Sequence, residues 1–100
     1  VTICHSKTKS LDQITKNAEI VICAIGKRNY FSKDFFAPDA AVIDVGMHCL
    51  EDNLLCGDVF FKDVKDNVRA LTPVPGGVGL MTVASLMMNT LLSAKKEIYK

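Results

Sequence analysis

One hundred residues, 49% of them hydrophobic and 23% charged, suffice for a single compact domain with a filled core and exclude an intrinsically disordered chain. Twelve basic and eleven acidic side chains leave a net charge of +1, so no electrostatic footprint for nucleic acid or an anionic membrane surface is present; small molecules or another protein surface are the expected partners. No apolar run reaches the ~18 residues of a membrane span, no charged leader opens the chain, and the four cysteines form neither a C-x-x-C pair nor a disulfide framework. The expectation is a soluble, unexported, cytoplasmic protein with reduced thiols and no metal site.

Val1 is not an initiator methionine, and Val1-Thr2-Ile3-Cys4-His5 is already a β-type run, which predicts a fragment with earlier sequence before it. A polar connection, His5-Ser6-Lys7-Thr8-Lys9-Ser10, follows. Ser10 is placed to cap a helix through about Lys16, with Leu11 and Ile14 facing inward and Asp12 in the first turn. The apolar run from Ile20 to Ile25 predicts a strand buried on both faces, as parallel sheets require, ended by Gly26. Lys27 to Asp39 is irregular or holds one short helix near Ser32 to Phe36, and Ala40 to Val45 is another short buried strand, stopped by Gly46. Met47 to Asp58 reads as a loop with a turn at Glu51-Asp52-Asn53, Phe61 to Asn67 as a short helix, and Val68 to Thr72 as a final strand.

The glycine-rich run Thr72-Pro73-Val74-Pro75-Gly76-Gly77-Val78-Gly79 then opens onto a helix predicted from about Leu80 to Tyr99. Leu80, Val83, Ala84, Met87, Leu91, Ala94 and Ile98 recur three and four apart, which predicts one broad buried face. Lys95, Lys96 and Lys100 lie where positive charge complements the helix dipole.

Strand-then-helix units of this length need crossover connections and build an open, parallel α/β sheet with helices on its faces. Ligands of such sheets bind beyond the carboxyl ends of the strands. Those ends carry four elements expected to line one crevice: His5 to Thr8, Ile25-Gly26-Lys27, Val45-Gly46-Met47 and the Thr72 to Gly79 loop. Glycines in that loop let backbone approach a ligand, prolines stiffen it, and the free N–H groups of the next helical turn favour a phosphate, a carboxylate or a polarised carbonyl. A tight loop serving only turn geometry and helix packing is the plainer reading. After the first strand, His5, Ser6, Lys7 and Thr8 offer no acid for a ribose hydroxyl; Ser6 with Lys7 suits a 2′-phosphate, and a solvated turn is the alternative. His5 and His48 belong to no metal or nucleophile motif and read as packed or turn residues, Tyr30 and Lys33 read as surface, and Asp44 and Asp58 are suited to hold loop backbone by accepting N–H bonds. No proton-transfer pair is apparent, so no catalytic residue is assigned.

Taken together, Val1 to Thr8, Ala18 to Ile22, Ala24 to Lys27, Val42 to Gly46, Gly57-Asp58-Val59 and above all Thr72 to Thr82 resemble the cofactor-binding domain of bifunctional methylenetetrahydrofolate dehydrogenase/methenyltetrahydrofolate cyclohydrolases. The resemblance runs over essentially the whole chain. It implies a Rossmann-like three-layer open parallel sheet lacking its first βα unit, with residues 1–100 as the C-terminal part of an NAD(P)-binding domain and the N-terminal folate-binding catalytic domain outside this chain. It further implies a homodimeric parent that binds NADP and a tetrahydrofolate derivative, oxidises 5,10-methylenetetrahydrofolate and hydrolyses the methenyl product to 10-formyltetrahydrofolate.

By that resemblance His5 and Ser6 approach the 2′-phosphate of NADP, Ala24, Ile25 and Gly26 pass under the cofactor, Val45, Gly46 and Met47 sit by the nicotinamide, and Thr82 is a further cofactor contact. Pro75, Gly76, Gly77, Val78 and Gly79 match the loop that meets the folate. The family's Y-x-x-x-K pair and Gly-Arg-Ser pyrophosphate loop are absent from these residues, so the chain alone is expected to be inactive. Two departures stand out: Leu80 replaces a usual proline at what reads as the first helical position, and Met47-His48 replaces a common Ile-Asn pair. Another NAD(P)-dependent dehydrogenase sharing only the sheet, and a non-catalytic nucleotide-binding or interaction module, are the competing readings.

Overall fold

A computed structural model of the chain describes residues 1–97. Its centre is a parallel three-stranded sheet of β1 (Ile20–Cys23), β2 (Ala41–Asp44) and β5 (Ala70–Leu71), in the order β1-β2-β5. Ile20 pairs with Ala41 and Cys23 with Asp44, while Ala41 and Val42 pair with Ala70 and Leu71. β1 and β2 form where β-branched residues crowd together, and the parallel sense of the sheet sends all three carboxyl ends to one edge. The expected α/β class and parallel sheet are present.

The core occupies one face of this sheet. Val21 and Cys23 of β1 and Val42 of β2 are buried against Phe31, Phe36, Ala40, Val59 and Val64, with Leu11, Phe35 and Val68 packed around them. Leu11 belongs to α1 (Leu11–Lys16) and Val64 to α2 (Phe61–Val64). Phe31 and Phe35 pack edge to face with centroids 5.1 Å apart, the geometry their quadrupoles favour. A single 3₁₀ turn, Lys33–Phe35, stands where a short helix was one of two expectations.

Several expectations are corrected. Burial in β1 alternates: Ile20 and Ile22 are 61% and 65% exposed, so the strand is covered on one face by the described residues rather than on both. Val1 to His5 forms no strand; Ile3 is 87% exposed, and a strand exists only through a neighbour that takes its backbone hydrogen bonds. Ser10 does not cap α1 with its side chain. It adopts φ 54°, and its carbonyl accepts the N–H groups of Gln13 and Ile14 instead.

The stretch expected as a loop between Met47 and Asp58 contains an antiparallel hairpin of β3 (His48–Cys49) and β4 (Leu55–Cys56) around the anticipated turn, with Asn53 at φ 62°. Strands of two residues are too short to show alternation. α3 runs Val78–Ala94, starting two residues earlier than expected, and buries none of its residues. Leu80, Val83, Ala84, Met87, Leu91 and Ala94, expected inside, are all exposed, because no described element packs on that face. Ile98, Tyr99 and Lys100 lie outside the described residues.

Candidate functional site

At the carboxyl edge of the sheet two buried carboxylates organise the loops. Asp44, the last residue of β2, accepts the N–H groups of Gly46 and Asp58 on Oδ1 and of Val59 on Oδ2, each at 3.0 Å. Asp58 in turn accepts the N–H groups of Ile25 at 2.8 Å and Gly26 at 3.0 Å on Oδ2, and meets His48 Nε2 at 2.8 Å on Oδ1. The expectation that these two acids hold loop backbone is met in full, and among the described residues no buried side-chain nitrogen or oxygen lacks a partner.

Burial works to raise the Asp58 pKa, but the bonds from His48, Gly26 and Ile25 outweigh it, so the carboxyl lies below its ordinary value of 3.8 and carries its charge. Burial, with the Asp44 and Asp58 charges beside it, pushes the Cys23 thiol up to about 12, which makes it a packing residue and no nucleophile. The four cysteines are free thiols, and no group of three His, Cys, Asp or Glu that can hold a metal gathers among the described residues.

Glycine is required where these acids sit. A Cβ on Gly46 would run into the Asp58 carboxylate, and one on Gly57 into that of Asp44. In the glycine-rich loop, Gly76 has φ 97°, and a Cβ on Gly77 would meet the Pro73 carbonyl oxygen. At Gly77 backbone passes over backbone with no room for a side chain, whereas Gly76 needs glycine for its torsion and opens onto free space.

The cleft lies between the end of β2 and this loop. Asp44, Val45, Gly46 and Met47 form one wall; Pro73 to Gly79 and Thr82 form the other, enclosing about 100 Å³. Thr72 Oγ1 accepts the Asp44 N–H at 2.9 Å and ties the two walls together, and the Met47 methyl lies 3.7 Å from where a Gly79 Cβ would be. Gly77 precedes α3 without a side-chain cap, so the positive end of that helix faces the cleft through Val78 and Gly79. The volume is a fraction of the ~300 Å³ or more of a complete ligand pocket, so these residues supply part of a binding surface.

Of the residues singled out from sequence, the cleft brings together Val45, Gly46, Met47, Thr82, Pro75, Gly76, Gly77, Val78 and Gly79. Ala24, Ile25 and Gly26 stand at the same sheet edge, joined to it by the Asp58 bonds and by the Val45 N–H to the Cys23 carbonyl at 2.9 Å. Gly26 has φ 74° and open space around it. His5 and Ser6 are exposed on a separate turn, closed by the Thr8 N–H on the His5 carbonyl, and do not line this cleft. Two of the four expected elements therefore line the cleft, and a third, Ile25-Gly26, stands at the same sheet edge without lining it.

Leu80 is the third residue of α3 rather than its first, and its N–H donates to the Gly77 carbonyl at 3.2 Å. A proline there would give up this bond. His48 was read from sequence as a packed or turn residue, and its link to Asp58 was not foreseen. The available signal was a glycine within two residues of each acid, in Asp44-Val45-Gly46 and Gly57-Asp58.

The model of the tetrahydrofolate dehydrogenase/cyclohydrolase NAD(P)-binding domain matches residues 1–98. The chain belongs to this family. Bifunctional protein FolD of Lachnoclostridium phytofermentans is 59% identical over 96 residues, and FolD of Listeria innocua is 52% identical over 96; each alignment takes in 96% of this chain and 34% of the relative. The chain thus spans about a third of the length of the curated relatives it matches.

The crystal structure of the FolD dehydrogenase/cyclohydrolase from Campylobacter jejuni superposes with a TM-score of 0.91 at 43% identity, over 96% of this chain and 34% of that one. The Trypanosoma brucei FolD enzyme, solved with NADP cofactor and an inhibitor, gives 0.85 at 34% identity, over 99% of this chain and 36% of that one. As an NAD(P)-binding domain of this family, the chain carries exposed glycine backbone at Gly26 on the sheet edge and at Gly76 in the loop, with the positive end of α3 beside the cleft.

Proposed function

We propose that the chain is the cofactor-side part of an enzyme that oxidises 5,10-methylenetetrahydrofolate to 5,10-methenyltetrahydrofolate and hydrolyses that product to 10-formyltetrahydrofolate. NADP supplies the hydride acceptor when bound. The observation that carries this reading is the cleft in which Val45-Gly46-Met47 faces Pro75 to Gly79. A planar ring on the first wall lies directly opposite a loop able to receive a second planar ligand.

In this reading the exposed backbone of Ala24, Ile25 and Gly26 lets the dinucleotide lie against main chain without steric conflict, and Gly46, seated on Asp58, lines the cofactor side of the cleft. Met47 and Val45 exclude water from the nicotinamide side, and Thr82 with the N–H groups of the first turn of α3 orients polar atoms. Pro75 to Gly79 bear on the folate, and His5 with Ser6 takes the 2′-phosphate from the neighbouring turn. These residues bind and orient; none performs a proton transfer, and that work falls to the folate-binding domain of the parent, as do the remaining contacts that complete the pocket. The parent is a cytoplasmic homodimer in this reading, and no helix among the described residues is long and apolar enough to cross a membrane.

The test uses the full-length parent. Reduction of NADP on addition of 5,10-methylenetetrahydrofolate, followed by its absorbance, together with a rise in melting temperature with NADPH and with a folate analogue, is the expected result. A rise with NADPH and none with folate identifies a different dehydrogenase. No rise with either leaves an interaction module and removes the proposal.

A further inference from the structure

We propose that His48 and Asp58 form a positioning couple that fixes the backbone of Ile25 and Gly26, and through it the affinity for the dinucleotide; the inference rests on the NAD(P) reading of this edge. Gly26 is held at φ 74° with nothing within 4 Å of its Cβ position, so no side-chain packing maintains that conformation. What maintains it is Asp58 Oδ2, which takes the N–H groups of both Ile25 and Gly26.

Asp58 can do this only if its own place is fixed. Its main chain is held by the Asp44 carboxylate through the Asp58 and Val59 N–H groups, and its other oxygen is held by His48 Nε2 at 2.8 Å. The Asp58 side chain is fully buried, whereas that of His48 is 23% exposed. The imidazole therefore stands between solvent and the buried carboxylate, on the hairpin strand β3, and couples that hairpin to the tip of β1. Removing the imidazole leaves Oδ1 of a buried carboxylate without a donor. Such a group recruits water or a proton, and its hold on the two N–H groups weakens.

His48 touches none of the atoms expected to react, so its effect is on cofactor binding rather than on chemistry. In the full-length parent, His48→Ala is expected to raise the NADP KM and the NADPH Kd on the order of tenfold, as loss of a hydrogen bond to a charged group implies. kcat at saturating NADP and the KM for the folate substrate are expected to stay within about twofold, the pattern of lost ground-state binding. His48→Gln, whose amide Nε2–H₂ reaches to about the same point as imidazole Nε2, restores most of the affinity. Thermal melting of both variants without ligand shows that each is folded.

Wild-type parent that binds NADPH, with His48→Ala binding equally well, overturns the couple and leaves the functional reading intact. A His48→Ala variant in which the folate KM rises as much as the NADP KM also overturns it, since that marks general loosening. Wild-type parent with no affinity for NADPH overturns the functional reading and this inference with it.

Discussion

Asp44 accepts the backbone N–H of Asp58 at 3.0 Å, so that one buried carboxylate fixes the seat of another. The first then has no freedom to turn toward a ligand, and the second is free only to hold Ile25, Gly26 and His48. Both acids hold main chain in place, their oxygens satisfied by donors.

Replacing Asp44 by alanine removes the acceptor of three N–H groups, those of Gly46, Asp58 and Val59. With each buried, unsatisfied group costing ~1–3 kcal/mol, a loss of about 3 kcal/mol or more is expected, read as a lower urea midpoint of the parent. Asp44→Asn keeps one carbonyl oxygen and is expected to lose less.

The glycines at this edge are expected to differ sharply. Gly46→Ala and Gly57→Ala each drive a methyl group into a buried carboxylate and should destabilise by ~3 kcal/mol or more, as overpacking with broken hydrogen bonds does. Gly26→Ala meets open space and suffers only its left-handed torsion, about 1 kcal/mol. Parallel denaturation curves of the three variants check the order.

Acid stability follows from Asp58. Its folded pKa lies below the ordinary 3.8, so the unfolded chain takes up a proton more readily and falling pH favours unfolding. The contribution is complete above about pH 4 and is lost as pH falls through the folded value. Melting temperature measured from about pH 6 down to pH 2 should show this limb, and Asp58→Asn should flatten it. His48→Ala, which removes one of the bonds holding that pKa down, should bring the folded value closer to the unfolded one and so shorten the limb.

Thiol labelling should separate Cys23 from Cys49. Cys23 is buried, with its pKa pushed up to about 12, whereas Cys49 is exposed on β3. In native protein a maleimide is expected to spare Cys23 and to react with it only in denaturant, as peptide mapping by mass spectrometry will show. Native labelling of Cys23 would mean that the β1–β2 face opens readily.

The sheet and the glycine loop were legible in the sequence because both rest on local signals: β-branched runs at Ile20 to Cys23 and Ala41 to Asp44, and crowded glycine and proline from Pro73 to Gly79. The resemblance carried the cofactor further than the residues alone. Burial was less legible. Periodicity in α3 marks an apolar stripe but not what covers it, and the alternation in β1 is hidden when Ile20, Val21, Ile22 and Cys23 are all apolar. The reach of Asp58 to Ile25, across 33 positions, has no local signature, and so His48 read as a packed or turn residue and a departure from the family pattern rather than as a partner of that acid.

The space denied to a methyl group at Gly46 is taken by Asp58, and the space denied at Gly57 is taken by Asp44. Each acid thus occupies the vacancy beside the other acid's neighbouring glycine, like two keys cut for each other's locks. Enlarging either glycine demands a smaller residue opposite, and any residue smaller than aspartate strands main-chain donors. Single-step drift at any of these four positions is therefore closed, and they should be inherited as one unit even while the surrounding surface diverges.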